Sequence, residues 1–301
     1  MTAASLFSDL CGELDAARER LGVPGAAVGV LHQGEERAAG FGVTSVEHPL
    51  AVTADTLFQI GSITKTFTGT AAMRLVEDGK LDLDRPLREY LPDLHLADED
   101  VAAAVTMRHL LTHTGGWDGD FIDDLGAGDD ALARMVAQLD QTPQVTPLGG
   151  LWTYNNAGFY IAGRAIEVLA EKPFEDVVRD RILEPLGMTM SFFFPADVMT
   201  HRFAVGHHGD DEGTKVARPW DIGRAAYPAG GIASTVRDLL RYARFQLGEP
   251  PHLLRAETLA LMQAPQVDAG PNQSVGLTWF VREFDGRRGI GHGGGTNGQI
   301  S

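Results

Sequence analysis

Leu6, Leu10, Leu14, Ala17 and Leu21 fall at i, i+4, i+8, i+11 and i+15, which predicts a helix over residues 5–21 with one apolar face. Gly22 ends that helix and Pro24 reinforces the stop. The run 26–31 (AAVGVL) is continuously apolar, HQGEE is turn-forming, and residues 37–43 run back, which reads as a β-hairpin. Phe67, Ala71 and Leu75 stack at i, i+4 and i+8 and predict a second helix over 62–78, with Gly79 at the C′ position. From there to about residue 270 the pattern is mainly helical, at 130–139, 158–170, 174–182 and 235–246, with loops rich in Gly, Pro and Asp between. Strand-like runs return at 275–284 and, after a DGR turn, at 288–292. Strands, then helices, then strands imply an α/β (α+β) fold, with an antiparallel sheet built from both chain ends and an all-helical insertion. The domains expected on this basis are a discontinuous sheet-containing unit, 1–60 with 225–301, and a mainly helical unit, 61–224.

Composition narrows the function. The 301 residues are 44 % hydrophobic and 22 % charged, as in ordinary globular proteins. The 25 Lys and Arg against 41 Asp and Glu leave a net charge of −16 with no basic cluster, which argues against nucleic acid and acidic membranes as partners. Cys11 is the single cysteine, so an internal disulfide and a thiolate metal site are excluded. Neither a metal nor a cofactor is expected. The first twenty residues lack the basic and apolar regions of a secretory signal, and no apolar run is long enough to span a bilayer, so a cytoplasmic location is expected.

Three short segments carry chemistry. Ser62-Ile63-Thr64-Lys65 places a hydroxyl and an amine on one helical face at the positive end of the helix, where negative charge is favoured. An amine held neutral by its surroundings can take the serine proton. The same spacing arises by chance where Ser caps a helix and Lys is solvated, so alone it says little. Tyr154-Asn155-Asn156 adds a phenol and an orienting amide just before a helix. A neighbouring ammonium is expected to lower the phenol's pKa and make it a usable base. Gly291-His292-Gly293-Gly294-Gly295 ends a strand with glycines that admit a substrate close to main-chain N–H donors. Its Gly293-x-Gly295-x-x-Gly298 spacing is not read as a dinucleotide fingerprint, because no helix follows.

Taken together these segments resemble the serine β-lactamase and penicillin-binding-protein superfamily, in the class C-like branch with SxxK, YxN and a final (K/H)xG. FQIGSITKTFTG, RHLLTHTGGW, EPLGMTMS and PAGGIASTVRDL extend the resemblance over about residues 20–301. It implies that Ser62 is an acyl-forming nucleophile, that Lys65 and Tyr154 share acid/base work, and that Asn156 holds the lysine and a substrate carbonyl. It further implies an oxyanion hole from the N–H groups of Ser62 and Gly295, and substrate contacts from His292, Gly293 and Gly294. The expected activity is that of a serine hydrolase on a small ester, amide or short peptide. A peptidase or amidase on D-amino-acid-type substrates, or a carboxylesterase, ranks ahead of a β-lactamase or D,D-carboxypeptidase. An inactive ligand-binding or partner subunit is the reading from another class.

Two departures shape that ranking. His292 and Gly293 stand where β-lactamases of this branch carry Lys and Thr, so a permanent charge and a hydroxyl for a substrate carboxylate are absent. The family also continues past the HxG strand for two more strands and a helix, about 25–40 residues at typical element lengths. The sheet is therefore expected to lack those elements here, with either a second polypeptide or a longer natural chain supplying them. The six aspartates between Asp118 and Asp130 read as a solvated loop whose field favours cationic or neutral substrates, His207-His208 as surface residues, and His113 as a structural hydrogen-bonding group.

Overall fold

The computed structural model describes residues 3–120, 123–210 and 213–301; Phe121 and Ile122, inside the aspartate-rich stretch, lie outside them. Helix α1 (Ala3–Arg20) ends at Gly22, whose φ of 67° suits a residue without a Cβ. It leads into β1 (Gly25–His32) and β2 (Glu35–Gly42), paired antiparallel from Gly25↔Gly42 to His32↔Glu35. The two-residue turn is Gln33-Gly34, both at positive φ, as a tight hairpin requires. The apolar stripe of α1 is less covered than its periodicity implies: Leu6 keeps 51 % of its surface and Leu10 39 %. The hairpin beneath is only two strands wide, and both leucines border an open groove with Val30 and Leu31.

A short 3-10 turn (Gly61–Ile63) carries the chain into α2 (Thr64–Glu77), so the helix begins two residues later than expected. It is buried almost all round. Its threonines tolerate this because each hydroxyl is satisfied: Thr66 donates to the Ile63 carbonyl at 2.8 Å, Thr68 to that of Pro228 at 2.7 Å, and Thr70 pairs with the Tyr242 hydroxyl at 2.9 Å. Phe67 stacks on Tyr242 with centroids 3.9 Å apart. Helix α3 (Ala157–Ala170) packs across α2, and α4 (Val236–Gln246), capped by Thr235 accepting from the Asp238 N–H, lies on β1. Gly29 makes that approach close, since a Cβ there meets Leu240 at 3.2 Å.

Between these helices a small antiparallel sheet joins β3 (Phe58–Gln59), β4 (Ser191–Phe192) and β5 (Ala233–Ser234) in the order β3-β5-β4. The C-terminal part forms a four-stranded antiparallel sheet of β6 (Val267–Asp268), β7 (Gln273–Val275), β8 (Phe280–Phe284) and β9 (Arg287–Gly291). The single strand expected over 275–284 is interrupted, because the chain dips into the core: Leu277 is fully buried and the Thr278 N–H donates to the Leu111 carbonyl at 2.8 Å. A last hairpin, β10 (Gly295–Thr296) and β11 (Gln299–Ile300), turns at Asn297-Gly298. Among the described residues the β1–β2 hairpin and the β6–β9 sheet share no ladder. No helix among them is long and apolar enough to cross a membrane.

Removing the ring that anchors α2 is expected to be costly. Phe67→Ala should lower unfolding free energy by about 3–5 kcal/mol, measured by urea denaturation, because the cavity lies where the helix is fully enclosed.

Candidate active site

The 3-10 turn before α2 places Ser62 at the mouth of a cleft and Lys65 one turn deeper, fully buried. Lys65 Nζ lies 2.9 Å from Ser62 Oγ, 2.8 Å from Asn156 Oδ1 and 2.8 Å from the Ala229 carbonyl. The last two groups are oxygens that only accept. A neutral amine has two N–H bonds and one lone pair, so satisfying both acceptors turns the lone pair onto the serine hydroxyl. Burial pushes the lysine pKa down to about 7, with a partly opposing effect from Asp120.

Tyr154 completes the cluster from the loop before α3. Ser62 faces its phenol and partly offsets the rise in pKa that burial causes, and Lys65 Nζ lies 5.0 Å from its ring centroid. His113 holds the loop from below. Its carbonyl accepts from the Thr153 N–H at 2.9 Å, its Nδ1 accepts from the Asn155 N–H at 3.0 Å, and its ring stacks on Tyr154 at 4.4 Å. Asn155 then donates to the Trp117 carbonyl at 2.8 Å and accepts from the Gly158 N–H at 2.7 Å, which fixes the start of α3. The expectation that a lysine ammonium depresses the phenol's pKa is corrected by this environment. Desolvation dominates and raises Tyr154 to about 12, so the phenol keeps its proton while the lysine is the group that loses one near neutrality.

Main-chain groups meet Ser62 from the far side. Gly294 and Ser301 exchange both of their main-chain hydrogen bonds, at 2.7 and 2.8 Å. The next residue, Gly295, is therefore in a non-bonded pair with Ile300, and its N–H points away from β11. It points toward the 61–62 segment: a Cβ on Gly61, at φ 48°, falls 2.6 Å from Gly295 N. Glycine is obligatory at both counts, conformation and space. His292 is placed differently from a charged carboxylate receptor. Its ring sits 6.3 Å from that of Tyr154 and 5.1 Å from Phe280, Nδ1 donates to the Gly293 carbonyl at 2.6 Å, and burial takes its pKa down to about 4. It is neutral at physiological pH. Gly293 is exposed and Gly294 buried beneath it, packed so closely that a Cβ would fall 1.9 Å from the Ile60 carbonyl oxygen.

A hollow of about 600 Å³ opens over Ser62, lined also by Asn156, Tyr160, Ile222, Gly295 and Thr296, with Asp124 and Asp221 at its rim. Sequence reasoning missed two members of the cluster. Asp120, read as part of a solvated loop, accepts from Asn156 Nδ2 at 3.3 Å. The Ala229 carbonyl is a backbone group, and only its setting in PAGGIAST hinted at it. Among the described residues no group of three or more His, Cys, Asp or Glu is placed to hold a metal ion.

This geometry can be set beside known proteins. The β-lactamase family model matches residues 13–300. The chain belongs to the β-lactamase family. Penicillin-binding protein 4 of Amycolatopsis lactamdurans is 37 % identical over 95 % of this chain and 78 % of its own length. Esterase EstB of Burkholderia gladioli is 31 % identical over 86 % of this chain and 74 % of its own. The D-amino acid amidase of Ochrobactrum anthropi SV3, solved with L-phenylalanine amide, superposes with a TM-score of 0.77 at 26 % identity, covering 94 % of this chain and 82 % of that one. The protein is thus a β-lactamase-like member of a serine hydrolase family whose relatives carry amidase, esterase and β-lactamase names.

The buried lysine should be visible in pH dependence. The rate of Ser62 labelling by a fluorophosphonate is expected to rise with pH through a midpoint near 7, where Lys65 sheds its proton. Stability gives an independent readout. The unfolded chain binds one more proton than the folded one between that value and the ordinary lysine value, so folding is favoured as pH rises through the window. Urea unfolding of Lys65→Met against wild type should therefore shift in the variant's disfavour from pH 7 to pH 10.

Proposed function

We propose that the protein hydrolyses small amides of D-amino-acid type through an acyl-enzyme on Ser62. Ser62 Oγ attacks the carbonyl as its proton passes to Lys65 Nζ, and the N–H groups of Ser62 and Gly295 receive the developing oxyanion. Tyr154, still protonated, gives its proton to the departing nitrogen, and the proton held on Lys65 replaces it. Water then attacks the acyl-enzyme and releases the acid. Asn156 holds the amine and offers its amide to the substrate.

The observation that carries this reading is the lysine lone pair held on the serine by two pure acceptors, since it supplies a base without a histidine or a metal. The substrate class rests on charge. Neutral His292 and hydroxyl-free Gly293 give little to a β-lactam carboxylate at that position. Asp124 and Asp221 at the rim of the hollow, with Asp120 behind Asn156, favour a free α-ammonium on the acyl side. The likeness to a D-amino acid amidase supports the same choice. A carboxylesterase is the second reading, favoured by the apolar wall of the hollow at Ile222, Ala226 and Ala229.

A panel of D- and L-amino-acid p-nitroanilides, p-nitrophenyl esters and nitrocefin tests these readings. D-Amino-acid anilides are expected to exceed nitrocefin in kcat/KM by about tenfold or more. Ester hydrolysis without anilide hydrolysis selects the esterase, and no turnover with no fluorophosphonate labelling leaves a binding protein. Tyr154→Phe should separate the substrates further. Anilide turnover should fall about 10²–10⁴-fold, whereas p-nitrophenyl esters, whose leaving group departs unprotonated, should lose much less.

A further inference from the structure

Residues 117–120 are fastened to the start of α3 by hydrogen bonds that all run in one direction, from α3 to the segment. The Trp117 carbonyl accepts from Asn155 Nδ2 at 2.8 Å, the Gly119 carbonyl accepts from the N–H groups of both Asn156 and Ala157 at 3.1 Å, and Asp120 Oδ1 accepts from Asn156 Nδ2 at 3.3 Å. Gly119 permits this approach, since a Cβ there would fall 2.7 Å from Asn155 Cα. The Asp118 N–H donates to the Pro143 carbonyl at 3.0 Å and ties the segment down on its other side. A carboxylate at 120 thus lies at the N-terminal end of a 14-residue helix, where negative charge is favoured. Its charge reaches the site. Burial is the larger influence on Lys65, Tyr154 and Tyr160, lowering the pKa of the amine and raising those of the phenols, and the Asp120 charge raises all three.

The consequence lies in the two ends of the Asn156 amide. Oδ1 faces Lys65 Nζ at 2.8 Å and Nδ2 faces the Asp120 carboxylate. While Lys65 is an ammonium it can only donate, so it enforces this orientation unaided. Once the amine has lost its proton that constraint is gone. A neutral amine also accepts, and a turned amide would offer it an N–H and draw its lone pair away from Ser62. The same turn would set Oδ1 against the Asp120 carboxylate, oxygen against oxygen with no proton between them. We propose that Asp120 is a positioning residue: it holds the Asn156 amide oxygen toward Lys65 after the amine is deprotonated, and so keeps the lone pair on Ser62. The bond occupies one of the two N–H groups of Nδ2 and leaves the other for substrate. The inference rests on the acyl-enzyme reading with Lys65 as the base and names the group that keeps that base aimed.

An uncharged fluorophosphonate tests this without assuming a substrate. Besides Asp120, the titratable groups that face Lys65 are Tyr154, His113 and His292. The phenol keeps its proton and burial holds both histidines neutral, so the pH profile of Ser62 labelling reports Lys65. The profile is measured in wild type, Asp120→Ala, Asn156→Ala and the double variant. In Asp120→Ala the midpoint is expected to move to lower pH, because the amine loses a nearby anion, and the limiting rate at high pH to fall about tenfold, the scale of one charged hydrogen bond. In the Asn156→Ala background Asp120→Ala should cost no further limiting rate, because its effect passes through the amide. Asp123→Asn, which removes a charge from the same stretch of chain, should leave both quantities unchanged. NMR of the Asn156 side-chain amide, identified by its loss in Asn156→Ala, gives a readout free of chemistry: Asp120→Ala should speed its exchange with solvent. A midpoint that moves while the limiting rate stays overturns the positioning role in favour of charge alone. So does an equal loss of rate in both backgrounds, or an amide whose exchange ignores Asp120. Absence of Ser62 labelling in wild type overturns the acyl-enzyme reading instead, and the amide exchange then still decides whether Asp120 holds Asn156.

Discussion

The site depends on an amine without water around it. Lys65 is enclosed on every side, and an ammonium there forfeits its hydration for three hydrogen bonds. Two of those bonds go to oxygens that cannot donate, so the amine can lose its proton without losing them, and the site it vacates faces the serine. Burial and partner chemistry thus act together: one makes the neutral form accessible, the other aims it. The helix, the Asn156 loop and the 229–230 turn all serve this enclosure, because each contributes one wall or one acceptor.

The second constraint is close approach of main chain to main chain. Gly61, Gly294 and Gly206 each sit where a Cβ would lie under 3 Å from a backbone atom of a distant segment. Gly61 meets Gly295, Gly294 meets Ile60, and Gly206 meets Asn297. These contacts seat the β10–β11 hairpin on the 60–61 segment, so the Gly295 N–H arrives beside Ser62 although 233 residues of sequence number separate them. Hydrogen bonding from Thr296 and Gln299 to Gln59 Oε1, at 2.8 and 3.2 Å, reinforces the seat. A donor placed by backbone contact stays fixed, as the oxyanion-binding role proposed for it requires.

Around this centre the charges are unevenly distributed. The site's histidines are kept neutral: His113 is enclosed, with Nδ1 committed to the Asn155 N–H, and His292 donates to a carbonyl between two rings. Fixed charge at the hollow over Ser62 comes instead from Asp124 and Asp221. The net charge of −16 is therefore concentrated unevenly, with carboxylates at the hollow over Ser62 and neutral rings behind it.

Local pattern was enough for the helices around the site. Phe67, Ala71 and Leu75 marked α2, the helical pattern at 158–170 marked α3, and the Gln-Gly and Asp-Gly turns marked the hairpins, because periodicity and φ preference act over a few residues. The motif residues Ser62, Lys65, Tyr154 and Asn156 were legible for a different reason: their types and order match a family, and the fold brings them together. Three things were not legible. The break at residues 276–279 depends on a core contact with Leu111, and the Ala229 acceptor is a carbonyl that every residue possesses. The order in which lysine and tyrosine lose protons also reversed, since a pair of charges on paper favours phenolate whereas desolvation in the closed cleft favours neutral amine and neutral phenol. Sequence alone determined which groups are available and which segments are helical or extended, because those follow from neighbours along the chain. Only the tertiary structure decided protonation, the direction of the lysine lone pair and the facing of the Gly295 N–H, because each is set by atoms that are distant in sequence and by the exclusion of water.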